Sequence, residues 1–250
     1  MQPNAFVGAA FCYPYESMTE WKKKGQKMTK PKLIIFDMDG LMLNTEPLAI
    51  AGWQVAARKL NITIPEALTK SVIGFNRELC KAHMLKALGQ DFPFEEALAI
   101  IFEDVNQHFE KHGIPLMPGI IQMLDKLEEL GINKAVATST SYDRAVFKLT
   151  KANIAHRFHV IIGGNMVKNS KPAPDIFLKA AQACNTAPSD CIVLEDSNPG
   201  AEGAYLAGMR VIVVPDLIPP TQATQARAYA IVKSLNEAHE IIQELSGLGC

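Results

Sequence analysis

Between positions 32 and 232 the chain alternates between two hydrophobic patterns. Short runs, continuously apolar but for Lys134, occupy Leu33–Phe36, 134–137, 160–162, 191–194, 211–214 and 230–232, and longer stretches between them repeat apolar residues every three or four positions. Uninterrupted apolar strands are buried on both faces, and strands that alternate with amphipathic helices build a parallel sheet covered by helices on each side. The pattern predicts an α/β, Rossmann-like parallel-sheet core.

The helical stretches carry start and stop signals. Pro118 precedes a stretch whose expected apolar face is Ile121, Leu124, Leu127 and Leu130, and Gly131 ends it; Ala173-Pro174-Asp175 opens another, with Ile176, Phe177, Ala180 and Ala183 at helical spacing. Between the first two strands, positions 47–115 hold no convincing strand. They read as helices over 47–60, Arg77–Leu88 closed by Gly89, and Phe94–His112 closed by Gly113. An insertion of that size is too long for a crossover and predicts an all-helical second domain. The expected organisation is a tail over 1–30, a catalytic core over 31–46 and 116–250, and the helical unit over 47–115.

Composition narrows the partners. The 250 residues carry 25 Lys+Arg against 26 Asp+Glu, a formal net charge of -1, so nothing draws the chain as a whole to nucleic acid or an anionic membrane. A small molecule is the expected partner, with no nucleic acid and no membrane, and the chain is expected to act as a monomer. The N-terminal segment stands apart, with Phe11, Tyr13 and Tyr15 followed by Lys22, Lys23, Lys24, Lys27, Lys30 and Lys32; it reads as a flexible solvated tail, and Met18 and Met28 offer alternative starts. Five cysteines without CxxC spacing argue against a disulfide framework or a structural zinc, and no apolar run reaches the roughly 18 residues of a membrane span. A cytoplasmic location is expected.

Polar residues with chemical potential gather at strand ends. Asp37-Met38-Asp39-Gly40 follows the first apolar run, Thr138-Ser139 the second, and Glu195-Asp196 the fourth; Lys171 lies in the loop after the third. Open α/β sheets place their ligands at this carboxyl edge. Clustered carboxylates raise one another's pKa, so a bound cation is the natural way to keep them ionised together, and all-oxygen ligands beside a phosphate favour Mg2+. One aspartate could attack phosphorus, its neighbour could exchange a proton with the leaving oxygen and with water, and Thr138 and the Ser139 amide could hold phosphoryl oxygens.

Together, Asp37-Met38-Asp39-Gly40 with Thr45, Thr138, Lys171-Pro172-Ala173-Pro174-Asp175 and Glu195-Asp196-Ser197 resemble, in order, the four motifs of the haloacid dehalogenase superfamily. The resemblance implies Asp37 as nucleophile, Asp39 as general acid/base, Thr138 as a phosphate-binding hydroxyl, and Lys171 as the lysine shared by nucleophile and phosphoryl oxygens. It implies Mg2+ held by Asp37, the Asp39 main-chain oxygen and Asp196, with Glu195 acting through water, and a helical cap over the substrate. Phe36 to Glu46, Leu116-Met117-Pro118-Gly119, and the run from Gly208 to Asp216 resemble the branch containing β-phosphoglucomutase, sugar-phosphate phosphatases and pseudouridine-5'-phosphatase. Gly74-Phe75-Asn76-Arg77-Glu78 is similar to the mutase's cap loop, which adds Arg77 to Ser139 and Thr45 as substrate-binding candidates. Mutases of the branch carry a histidine where this chain has Ala49. The expected activity is therefore a phosphatase acting through an aspartyl-phosphate on a small sugar phosphate or nucleotide-like phosphomonoester, with a β-phosphoglucomutase-type mutase as the alternative.

Other readings are weaker. A receiver domain phosphorylated on aspartate also combines acids, a hydroxyl and a lysine, but is much shorter and has no helical insertion. No Gly-rich dinucleotide fingerprint and no P-loop is present. His108 and His112, one turn apart, read as a solvated face near a helix end, and Trp53 and Phe75 as packing residues.

Overall fold

A computed structural model describes residues 30–247. The expected aromatic patch, most of the basic run and both alternative starts lie outside the described residues. Lys30 and Lys32 lie inside, where the Lys30 ammonium donates to the Leu130 carbonyl and Lys32 pairs with Asp190 at 2.8 Å.

All six expected strands form: β1 (Leu33–Phe36), β2 (Asn133–Thr138), β3 (Val160–Gly163), β4 (Cys191–Glu195), β5 (Arg210–Val213) and β6 (Ala230–Ile231). They make one parallel sheet in the order β3-β2-β1-β4-β5-β6. Alternate residues of β1 face opposite sides, with Ile34 and Phe36 in one core and Leu33 and Ile35 in the other. Every β1 side chain is buried, which is why the strand reads as a continuous apolar run.

Four helices fill the interval between β1 and β2: α1 (Glu46–Lys59), α2 (Glu66–Ser71), α3 (Arg77–Leu88) and α4 (Phe94–His112). Short α2 was missed; six residues give no amphipathic signal. The Asn76 side chain caps α3 by accepting the Leu79 amide at 2.9 Å. Trp53 of α1 packs against Phe94 of α4, with ring centres 6.2 Å apart.

The remaining helices cover the sheet. On the Phe36 side lie α5 (Ile120–Glu129), α6 (Tyr142–Lys151) and, near the C-terminus, α10 (Leu235–Leu245); on the Leu33 side lie α7 (Asp175–Ala183) and α8 (Asn198–Leu206). A short α9 (Gln222–Arg227) precedes β6. The expected apolar face of α5 is corrected: Ile121 is exposed, and the buried stripe is Ile120, Met123, Leu124 and Leu127. Steps of three alone drift backward around a helix of 3.6 residues per turn, whereas steps of three and four keep to one side. The same drift placed Ala183 on the inner face of α7, where Ala181 sits instead. Among the described residues no helix is long and apolar enough to cross a membrane.

Candidate active site

The strand order reverses between β1 and β4, and a reversal of this kind opens a crevice at the carboxyl edge of a parallel sheet. Residues 37, 195 and 196 lie at that point. The Asp37 amide donates to the Leu194 carbonyl at 3.0 Å, which extends the β1–β4 ladder by one bond and fixes the start of the loop.

Lys171 arrives at the same point from the loop after β3. Its ammonium donates to Asp37 Oδ1 at 2.5 Å, to Glu195 Oε1, and to the Ala137 carbonyl at 3.1 Å, and the Phe177 ring lies 5.0 Å away. Burial disfavours its charge, but Asp37 and Glu195 outweigh burial and hold the lysine protonated. The other Glu195 oxygen accepts the Asp196 and Ser197 amides and the Ser197 hydroxyl. Glu195 is thus fully enclosed and fully hydrogen-bonded, and it fixes Lys171 against Asp37. One ammonium shared by two carboxylates does not fully offset their burial. Burial pushes Asp37 up to about 7 despite Lys171.

Asp39 has a separate set of partners. Lys148 of α6 donates to Oδ1 at 2.5 Å, Thr140 donates to Oδ2 at 2.8 Å, and the Thr45 hydroxyl also reaches Oδ1. Burial alone would raise this carboxyl; Lys148 and the two hydroxyls overcome it and hold Asp39 below the usual carboxylate range. Asp39 is therefore ionised beside Asp37, which burial tends to protonate.

The donor set suits a hard cation. Asp37, Glu195 and Asp196 each offer a carboxylate oxygen within 4.8 Å of the others, all three buried. Asp196 Oδ1 is buried without a hydrogen-bond partner, and burial together with the Glu195 charge raises this acid well above its ordinary value. An orphaned carboxylate oxygen facing other oxygens fits a small divalent ion. Gly40, at φ 83°, allows the chain to pass Asp196, because a Cβ there would strike the Asp196 carboxylate.

A cavity of about 350 Å3 opens over these groups, between the sheet edge and α1–α4. Asp37, Asp39, Thr45, Thr138, Ser139, Lys171 and Asp196 line it from the sheet side, and Arg77 from the helical side. The Thr138 hydroxyl accepts the Thr140 amide at 3.1 Å, which shapes the loop after β2. Arg77 is exposed and paired with Glu95 of α4, apart from the Asp37 and Asp39 groups. Sequence reasoning missed Lys148, Thr140 and Glu46, and placed Ser197 in the fourth motif without a role. Glu46 lines the cavity buried, and burial with the nearby Asp39 charge pushes it up to about 8. Lys148 left one readable sign: it falls on the face of α6 that buries Ala145 and Leu149, a place for an apolar residue unless the charge has a partner.

A haloacid dehalogenase-like hydrolase family model matches residues 34–214. The chain is 30% identical to the phosphorylated carbohydrates phosphatase of Thermotoga maritima over 84% of its own length and 89% of the relative's. Its fold is similar to the crystal structure of CbbY from Rhodobacter sphaeroides in complex with phosphate, with a TM-score of 0.71 and 26% identity over 83% of this chain and 96% of that one. It is also similar to β-phosphoglucomutase from Clostridium difficile, with a TM-score of 0.71 and 26% identity over 87% and 97% of the two chains.

Proposed function

The chain belongs to the haloacid dehalogenase-like hydrolases, and from that premise we propose that it is a Mg2+-dependent phosphatase of small phosphomonoesters, sugar phosphates or nucleotide-like molecules, working through an aspartyl-phosphate on Asp37. The observation that carries this reading is the separation of the two aspartates. Asp37 shares Lys171 with Glu195 next to a cation-suited cluster, while Asp39 is held by Lys148, Thr45 and Thr140.

In the first half-reaction an Asp37 oxygen bonds to phosphorus, the ester P–O bond breaks, and the leaving oxygen takes a proton from Asp39, which rests as a carboxylate and so first takes up that proton from the bound substrate or from water. In the second, water attacks phosphorus, Asp39 takes the water proton, and the P–O bond to Asp37 breaks to give inorganic phosphate. The hydrogen bonds to Asp39 favour its carboxylate, the form the second half needs. Lys171 meets the charge that accumulates on the phosphoryl oxygens, with Thr138 and Ser139 beside it on the cavity wall. Mg2+, held by Asp37, Asp196 and the Asp39 main chain with Glu195 behind them, would supply charge neutralisation for an anionic nucleophile meeting an anionic substrate. The helices over 47–115 act as a cap that excludes bulk water and contributes contacts to the leaving group.

Ala49 favours hydrolysis over mutase chemistry. It lines the cavity with a methyl group where the mutases of the branch place a histidine, and a phosphatase needs only to admit water. The test is phosphate release from a panel of sugar phosphates and nucleoside monophosphates, with Mg2+ or with chelator, for wild type and Asp37→Asn. Release that needs both the metal and Asp37 supports the reading; conversion of a hexose 1-phosphate to its 6-phosphate faster than phosphate release supports the mutase.

A further inference from the structure

Four cations line the cavity, and three of them have carboxylate partners: Lys171 with Asp37 and Glu195, Lys148 with Asp39, and Arg77 with Glu95. The fourth, Arg144 in the first turn of α6, has none among the described residues. Its guanidinium lies 4.1 Å from the centre of the Phe102 ring and donates one hydrogen bond of 3.4 Å to Asn106 Oδ1, both on α4. A guanidinium carries five donors in a planar fork, so its hydrogen-bonding capacity is largely unspent on a cavity wall. Burial opposes its charge and the nearby Asp39 charge only partly offsets it, so a half-buried guanidinium with no carboxylate in contact is placed to receive an anion.

Its placement defines what that anion is attached to. Arg144 and Lys148 are one helical turn apart on the same face of α6, where side chains are neighbours about 5–6 Å apart at Cβ. Lys148 meets the proton-transferring aspartate, so Arg144 stands one turn from the leaving oxygen, on the side of the helical cap. A purely mechanical role in holding cap to core is already filled, since Lys151 and Glu110 join the same two helices at 2.6 Å.

We propose that Arg144 reads a second anionic group, a carboxylate or a further phosphate, on the leaving group of the substrate. Arg144 is then a specificity-determining residue, held ready by Phe102 and Asn106, and the preferred substrates are acidic phosphomonoesters rather than neutral sugar or alcohol monophosphates. The inference rests on the phosphatase reading and deepens it.

The test uses matched pairs: glycerol 1-phosphate against 3-phosphoglycerate for the carboxylate, and ribose 5-phosphate against ribose 1,5-bisphosphate for the second phosphate. Wild type is expected to favour the acidic member of at least one pair by roughly 10- to 100-fold in kcat/KM, mainly through KM, the range of one charge-assisted pair. Arg144→Met is expected to collapse that ratio to within about threefold, and Arg144→Lys to restore part of it, with thermal midpoints confirming folded variants. No preference in either pair, or an Arg144→Met protein that lowers both members equally, overturns the proposal. A parallel arm measures binding of the same pairs by calorimetry in the Asp37→Asn protein and in Asp37→Asn combined with Arg144→Met. If wild type releases no phosphate from any compound, the phosphatase reading falls, while the calorimetric preference still decides the role of Arg144.

Discussion

Lys148 and Lys171 both reach the end of β1 from elsewhere in the chain, and each takes one aspartate. The aspartates and Lys171 were readable in the sequence because acids and a lysine that follow apolar strands have no structural reason to be there. Lys148 was not, because a lysine in an amphipathic helix is ordinarily placed in water, and only its register with Ala145 and Leu149 betrays it. Its ion pair has a kinetic consequence. Removing the ammonium leaves burial opposed only by the Thr45 and Thr140 hydroxyls, so the Asp39 pKa rises and its base form appears only at higher pH. Lys148→Met is expected to lower kcat by roughly 100-fold and to move the acidic limb of the pH–rate profile to higher pH; an unmoved limb would show that Lys148 serves only packing.

At the scale of elements, the six strands were legible because burial on both faces leaves their central positions apolar, and α3 and α4 because Gly89 and Gly113 mark their ends. The inner faces of α5 and α7 were blurred by the drift of threefold spacing. The contact between β4 and α8 was hidden altogether, since sequence does not show which backbone passes a carboxylate. Gly200 in the first turn of α8 lies against Glu195, and a Cβ at this position would overlap its carboxyl group. Gly200→Ala is therefore expected to push Glu195 off Lys171, costing about 1–3 kcal/mol of stability together with most of the activity. Denaturant unfolding and phosphate release measured on one preparation check both effects, and a fully stable, fully active variant would contradict the packing described.

Across the whole molecule, the sheet order gathers Asp37, Glu195 and Asp196 around a single ammonium, that of Lys171, which cannot neutralise all three. Without metal, the folded protein holds a proton on Asp37 up to about pH 7, and Asp196 is raised as well, against an ordinary aspartate value of 3.8. The folded state then binds protons that the unfolded chain has released, so metal-free stability falls as the pH rises from about 4 to about 7. Mg2+ can replace those protons, so the gain in thermal midpoint on adding it is expected to grow across the same window. Melting curves with and without Mg2+ at several pH values test this; a gain independent of pH would place the ion elsewhere. The parallel core and the helical insertion followed from periodicity and length, whereas the cavity between them depends on tertiary packing that no local pattern encodes.

Phosphorylation of Asp37 can be caught by trapping the phosphoenzyme. Protein mixed with Mg2+ and a substrate identified by the phosphate-release panel is quenched within a turnover and treated with borohydride, which reduces an acyl phosphate to the alcohol, and the peptide containing residues 33–46 is read by mass spectrometry. Homoserine is expected at position 37, and none when substrate or metal is withheld. Rapid phosphate release with Asp37 unmodified, or wild-type release by Asp37→Asn, would show that Asp37 is not the phosphorylated residue.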